Sequence, residues 1–148
     1  MRMKGASFAA ILLLPISWGM AGAAQDQRNA PWEAPEAAKQ VKNPVKVTKE
    51  GLAAAAKLFR MDCMTCHGET GAGDGPAAES LIRRPADFTD EKMMSEATDG
   101  ELFWKMTKGR TPMPSWEDQL SETERWELVN YLRKLTEDAA AAMKEKSQ

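Results

Sequence analysis

The chain has 148 residues, 28% of them charged, and a formal net charge of −2. This length allows one ordinary domain, and the balance of 20 basic against 22 acidic side chains excludes a basic nucleic-acid-binding protein. Two cysteines and one histidine are too few for several disulfides, or for a zinc site with four Cys and His ligands from one chain. All three occur in one short segment, Cys63-Met64-Thr65-Cys66-His67.

Residues 1–23 have the pattern of an export signal. Arg2 and Lys4 precede an apolar run over residues 8–16, and the small residues 21–23 fit a cleavage site. The pattern predicts export to the periplasm. Cleavage would remove two basic side chains and no acidic one, which leaves a more acidic mature chain.

The position of the cut and the fate of the signal have alternatives. Cleavage before Ala24 is predicted, and a cut before Gln25 is nearly as well supported. An uncleaved anchor is the rival, because no charged residue lies between Lys4 and Asp26. The interruption of this stretch by Pro15 and by two glycines favours cleavage.

Residues 24–47 are predicted to form an extended N-terminal arm. This segment contains Pro31, Pro35 and Pro44 and few aliphatic side chains, which argues against a packed element. Four lysines follow one another without an intervening acid: Lys39, Lys42, Lys46 and Lys49. A solvated basic linker is the favoured interpretation, and a docking site is the alternative.

The predicted helices begin after the arm. Thr48 is the expected N-cap of a helix that runs through Met61, and a glycine-rich loop follows over residues 69–76. This loop lacks the Gly-Lys-Ser/Thr ending of a phosphate-binding loop, and no strand precedes it. Residues 77–97 are expected to form short helical pieces that are broken at Pro85.

Two further helices open with capping boxes. The first begins at Thr98 and ends at Gly109, and a proline-containing loop over residues 109–119 follows. The second begins at Ser121 and runs to about Ala140, before a charged tail over residues 141–148. No segment alternates with a period of two, so the fold is predicted to be all-α, with a domain over residues 48–140.

The Cys-x-x-Cys-His segment indicates covalent haem attachment. Two thiols at this spacing reach the two vinyl groups of one porphyrin, and the adjacent His67 ligates the iron from one face. A thioredoxin-like disulfide needs a βαβ setting, which the sequence lacks, and a zinc site needs ligands that the chain does not contain. The predicted cofactor is one haem c, attached through Cys63 and Cys66.

A methionine is the expected second axial ligand, because the chain has no second histidine. Met113 is the best candidate, since Pro112 and Pro114 stiffen the backbone around it and lower the entropy cost of holding a ligand in place. The adjacent pair Met93 and Met94 is the competitor.

Together these features resemble a class I, mitochondrial-type, monohaem c-type cytochrome over about residues 48–136. The motifs that carry the resemblance are Phe59, the segment 63–68, Gly73-Asp74-Gly75-Pro76, Pro112-Met113-Pro114, and a closing helix with Trp126 and Tyr131. The resemblance implies a cytochrome c fold of three to five helices wrapped around the haem.

The resemblance also implies specific contacts. The first and last helices cross near Phe59 and Tyr131, with Ala55 where the family usually has glycine. The carbonyl of Pro76 accepts a hydrogen bond from Nδ1 of His67. Candidates for contact with the haem propionates are Trp104, Arg110 and Trp116.

A His/Met-ligated haem has no open position for a substrate, so an electron carrier rather than an enzyme is expected. The favoured function is a monomeric periplasmic electron-transfer protein that meets redox partner proteins transiently. The acidic chain favours a basic patch on the partner, although the run from Lys39 to Lys49 reverses this locally. Contact with a membrane is expected only through a partner or an uncleaved signal.

Two alternatives to the free carrier are kept. The first is a haem c subunit of a larger membrane-associated or periplasmic oxidoreductase complex, docked through the arm. The second is a haem ligand sensor or a peroxidase-like enzyme, in which Met113 leaves the iron.

Overall fold

The computed structural model describes residues 31–148, so the predicted export signal lies outside the described residues. Contacts divide the chain after Trp32, and Glu33–Gln148 form the unit considered below. Its helices are α1 (Glu36–Lys39), α2 (Lys49–Leu58), α3 (Met64–His67), α4 (Glu91–Glu96), α5 (Asp99–Lys108) and α6 (Glu122–Lys146). A π-helical turn over Phe59–Cys63 joins α2 to α3, and a 3₁₀ turn covers Ala78–Ser80.

The predicted all-α fold is confirmed. Within residues 31–148 the only strand-like pairing is an isolated bridge between Arg110 and Met113. No helix in this range is long and apolar enough to cross a membrane.

The helix starts follow the predicted N-caps. The Thr48 hydroxyl accepts the N–H of Gly51 at 3.0 Å, and Ser121 forms a complete capping box with Glu124. The Thr98 hydroxyl accepts the N–H of Glu101 at 3.2 Å, but the Glu101 carboxylate pairs with Lys105 instead of completing a second box. Each start is therefore fixed by a side chain within three residues.

The last helix is longer than expected. It continues to Lys146 instead of ending near Ala140, so residues 141–146 of the expected tail are helical. Four consecutive alanines, Ala139–Ala142, have the highest helix propensity, and Lys134 pairs with Asp138 one turn apart at 2.7 Å.

The core forms where α2 and the π turn meet α6. Ala55 and Val129 are fully buried, and the ring centroids of Phe59 and Tyr131 lie 5.4 Å apart. The crossing near Phe59 and Tyr131 therefore agrees with the expected one. A small side chain at Ala55 lets the two helices approach, as a glycine does in related folds.

The segment expected to be an extended arm packs on the domain from residue 33 onward. A Cβ atom at Gly100 of α5 would collide with the carbonyl oxygens of Ala38 and Val41, so the segment around α1 lies directly on α5. Further along, Asn43 donates to Asn130 Oδ1 at 2.9 Å, and Asn130 donates to the Val45 carbonyl at 3.1 Å. Two separate contacts thus fix this part of the chain.

Arg133 ties the middle of the chain to α6. Its guanidinium donates to the carbonyl oxygens of Met94 and Ala97, the second at 2.6 Å, and pairs with Asp99 at 2.8 Å. These acceptors lie at the end of α4 and the start of α5, so one side chain fixes the junction between these two helices.

We expect Arg133→Met to lower the free energy of unfolding of the holoprotein by about 1.5–3 kcal/mol, because it removes charge-assisted hydrogen bonds and leaves the Met94 and Ala97 carbonyls unpaired. Chemical denaturation measures this change. Lys134→Met is the control: it breaks an exposed pair and is expected to cost less than about 1 kcal/mol. Equal effects of the two variants would contradict the role of Arg133.

Candidate haem-binding site

The two cysteines lie on a continuous helical path. Cys63 closes the π turn and Cys66 lies within α3, so the thiols are three residues apart and lie on one helical face. Both are free and half-buried. The π turn inserts an extra residue just before the motif, a feature that is common at functional sites.

The Cys63 thiol is not poised for disulfide chemistry. Burial, together with smaller contributions from the nearby Asp62 and Cys66, raises its pKa to about 12. Redox-active thiols of the Cys-x-x-Cys type need a lowered pKa, because the thiolate is the reactive form. The environment of Cys63 thus disfavours the thioredoxin-like alternative.

His67 is held in one tautomer by a backbone carbonyl. Its Nδ1 lies 3.1 Å from the Ala86 oxygen, and because a carbonyl only accepts, Nδ1 carries the proton. The other ring nitrogen, Nε2, is then the one with a lone pair for a metal. Burial lowers the pKa of His67, which favours the neutral imidazole that a metal needs.

The prediction that the Pro76 carbonyl accepts the hydrogen bond from His67 is wrong, since the acceptor is the Ala86 carbonyl. The segment around Pro76 forms other hydrogen bonds: Gly75 N–H donates to the Cys66 carbonyl at 3.1 Å, and Ala77 N–H donates to the Thr65 carbonyl at 3.0 Å. These bonds hold the segment against the α3 backbone.

Phe88 supports the His67 ring from one side. The two rings stack with centroids 4.7 Å apart and 20° between their planes. Phe88 belongs to the buried core, and its N–H donates to the Gly71 carbonyl at 2.7 Å. The imidazole is thus fixed both by a hydrogen bond and by packing.

Glycine is required where the loop approaches the helix. Gly73 has a φ of +71°, and a Cβ there would lie 2.7 Å from the Pro85 oxygen. A Cβ at Gly75 would lie 2.5 Å from the Thr65 oxygen and 2.6 Å from the Met64 oxygen. The glycine-rich loop therefore packs closely against α3.

Met113 lies in a tight turn that closes on itself. Arg110 N–H donates to the Met113 oxygen at 3.0 Å, and Met113 N–H donates to the Arg110 oxygen at 2.8 Å. The Met113 side chain packs against the same buried cluster that Cys63 contacts. Its competitor Met94 is 1% exposed within α4. The structure thus places both methionines on the core that the cysteine motif borders.

The three propionate candidates differ in their surroundings. Trp116 packs against the core, and its backbone N–H donates to the Met106 carbonyl oxygen at 3.2 Å. Trp104 lies on α5 and is half-buried, and Arg110 belongs to the Met113 turn.

Ala86 and Phe88 are site residues that sequence reasoning missed. The available signal was Pro85, which predicts a break between short helical pieces. It does not show that Ala86 contributes through its backbone oxygen, a property that is independent of side-chain type.

The donor set fits haem c. Two thiols lie at thioether spacing, one imidazole presents Nε2, and thioethers lie on the shared core. The all-helical fold and this donor set define a c-type cytochrome domain.

The comparison with family models agrees with this assignment. The model described as "Cytochrome C oxidase, cbb3-type, subunit III" matches residues 50–132, and the chain belongs to this family. Membership confirms the predicted cofactor, covalent haem c, and the resemblance to a c-type cytochrome. It also supports haem-based electron transfer as the general function.

A solved structure is similar to part of this chain. It is the Kuenenia stuttgartiensis reducing HAO-like protein complex Kustc0457/Kustc0458, with 31% sequence identity and a TM-score of 0.55. The match covers 64% of this chain and 49% of that chain, so the present chain spans about half the length of its neighbour. No curated protein matches.

We expect Gly75→Ala to lower the yield of holoprotein and to cost about 1–3 kcal/mol of stability, because the added Cβ meets backbone oxygens of α3 that cannot rotate away. Haem absorbance per mole of purified protein and chemical denaturation measure the two effects.

Gly51→Ala is the matched control. Its Cβ meets flexible side-chain atoms, the nearest being Glu127 Oε1 at 3.0 Å, and alanine favours the helix by up to about 1 kcal/mol. A normal holoprotein yield in Gly75→Ala would show that the loop does not need glycine at this approach.

Proposed function

We propose that the chain is an exported electron-transfer protein with one haem c, attached through Cys63 and Cys66 and ligated by His67 and Met113. The observation that carries this proposal is the hydrogen bond from His67 Nδ1 to the Ala86 carbonyl. It leaves Nε2 as the metal-binding nitrogen of the only histidine in the chain.

Haem c supplies one-electron iron chemistry when bound. His67 would ligate the iron through Nε2, and Met113, whose backbone is fixed by the turn with Arg110, would supply a thioether as the second ligand. A thioether ligand stabilises ferrous iron and raises the reduction potential. If His67 and Met113 both ligate the iron, no position on it remains for a substrate, so electron transfer without catalysis of its own is the proposed activity.

The periplasm is the proposed location. The sequence pattern of residues 1–23 supports export, with Arg2 and Lys4 before the apolar run. The proposed haem domain of the exported chain covers residues 48–140, with the segment from Glu33 onward packed on it and α6 continuing to Lys146.

A second candidate function is a haem c subunit of a larger oxidoreductase. The matching family carries the name of an oxidase subunit, and the similar solved structure is a protein complex. Size measurement of the protein purified from its source separates the two functions. A free carrier elutes as a monomer, whereas a subunit elutes with its partner.

We expect Cys66→Ser to leave one thioether bond in place of two. The pyridine haemochrome band then moves to longer wavelength, because one vinyl group stays unreacted, and the holoprotein yield falls. Thr65→Ser is the control, since Thr65 lies between the cysteines and is exposed. An unchanged pyridine haemochrome band in Cys66→Ser would contradict the assignment of a thioether bond to Cys66.

We expect Met113→Leu to abolish the weak near-infrared sulfur-to-iron band and to lower the potential by on the order of 100 mV, a fraction of the ~0.8 V that axial ligands control. Leucine keeps the side-chain volume and removes only the sulfur. Near-infrared absorption and redox titration measure the outcome.

Met94→Leu is the matched comparison, because Met94 lies on the same buried core. It should keep both the band and the potential. Loss of the band in Met94→Leu with its retention in Met113→Leu would transfer the axial role to Met94.

A further inference from the structure

A strip of residues 41–49 presents apolar and basic side chains to solvent. Val41 is 46% exposed and Val47 is 64% exposed, and Lys42, Lys46 and Lys49 are exposed beside them. None of these three lysines forms an ion pair with another described residue. The strip contains no acid, and the acids that flank it in sequence are Glu36, paired with Lys39, and Glu50.

The strip has a fixed shape. Asn43 turns inward, where it donates to the Trp126 carbonyl at 3.2 Å and to Asn130 Oδ1 at 2.9 Å. Val45 packs against the core, and its N–H donates to Asn43 Oδ1 at 2.9 Å. Lys42, which precedes Asn43, and Lys46, which follows Val45, are exposed.

The haem domain does not account for the strip. The family match covers residues 50–132 and begins just after Lys49. The three lysines form no ion pair within the described chain, and the two valines leave part of their apolar surface in water. A partner that covers the strip would bury this apolar surface and pair these charges.

We propose that the strip 41–49 is a docking surface for a protein with an acidic patch around a small apolar centre. This inference rests on the proposed function, because the partner is a redox protein or a neighbouring subunit that exchanges electrons with this domain. The valines supply the apolar contact, and the lysines supply a charged rim that complements carboxylates. Since the strip is already ordered, binding costs little conformational entropy.

A protein fits the strip better than a lipid surface. Lipid-binding basic clusters contain about four to eight Lys or Arg side chains. The strip has three lysines, and the nearest lysine before it, Lys39, is paired with Glu36 at 2.8 Å. Apart from Lys49, the first residue of α2, the strip is not helical, so it offers no continuous apolar helix face to lie in a membrane interface.

Carbodiimide coupling tests the proposal directly, because this reagent joins a lysine amine to a carboxylate that touches it. The tagged holoprotein is expressed in its source organism, and extracts at low ionic strength are treated and analysed by mass spectrometry. We expect linked peptides that join Lys42, Lys46 or Lys49 to Asp or Glu of a second protein, and we expect them to be lost at high salt.

The matched variants carry equal charge changes. Lys42→Glu/Lys46→Glu/Lys49→Glu should lose the linked species, whereas Lys92→Glu/Lys144→Glu/Lys146→Glu, which alters three other exposed lysines, should retain it. Val47→Ser should weaken coupling without any change in charge. Absorption spectra of every variant should stay those of the wild type, which separates a failed docking surface from a failed haem site.

Three results would overturn the proposal. They are the absence of linked peptides from the strip, equal loss in both triple variants, and strip-dependent binding of the purified holoprotein to phosphatidylglycerol vesicles. The last result would assign the strip to a lipid headgroup instead of a protein.

Discussion

The hydrogen bond between His67 and the Ala86 carbonyl is the constraint on which the rest of the site depends. The chain has one histidine, and a metal site built on it works only if the ring is fixed and one nitrogen stays free. The Ala86 oxygen fixes Nδ1 at 3.1 Å, and the stacked Phe88 ring prevents rotation. To bring this carbonyl to the imidazole, the chain must fold back closely, and Gly73 permits the approach because a side chain there would strike the Pro85 oxygen. A loop without an apparent role in the sequence is thus part of the site.

The surrounding helices keep this loop in place. Phe59 contacts both Phe88 and Tyr131, with ring centroids 6.4 Å and 5.4 Å away, so the π turn links the segment around Phe88 to α6. Thr136 of α6 donates its hydroxyl to the Phe88 carbonyl at 2.8 Å, which adds a polar contact to the same place. Arg133, one turn earlier, holds the junction between α4 and α5. The last helix therefore braces both the loop behind His67 and the segment that carries Met94.

Sequence reasoning succeeded where a structure depends on neighbours in the chain. The caps at Thr48 and Ser121 act over three residues, and the spacing of Cys63, Cys66 and His67 is itself the chemical signal. It failed where a backbone atom meets a distant partner, because a carbonyl is present at every residue and Ala86 looks like any other. The packing of Asn43 was missed for the same reason: its partner Asn130 lies far along the chain, and proline-rich composition alone favours an exposed linker.

The net charge of the whole chain does not determine which surface a partner binds. A net charge of −2 determines the field at long range, but at physiological salt the field decays over about 8 Å. At contact distance only nearby groups count, and three unpaired lysines dominate the strip beside two exposed valines. An acidic partner would be weakly repelled at a distance and then held at this surface, so its association would be slow relative to a basic partner and its dissociation sensitive to salt. Fixed local charge, rather than the overall balance, is what makes the strip selective.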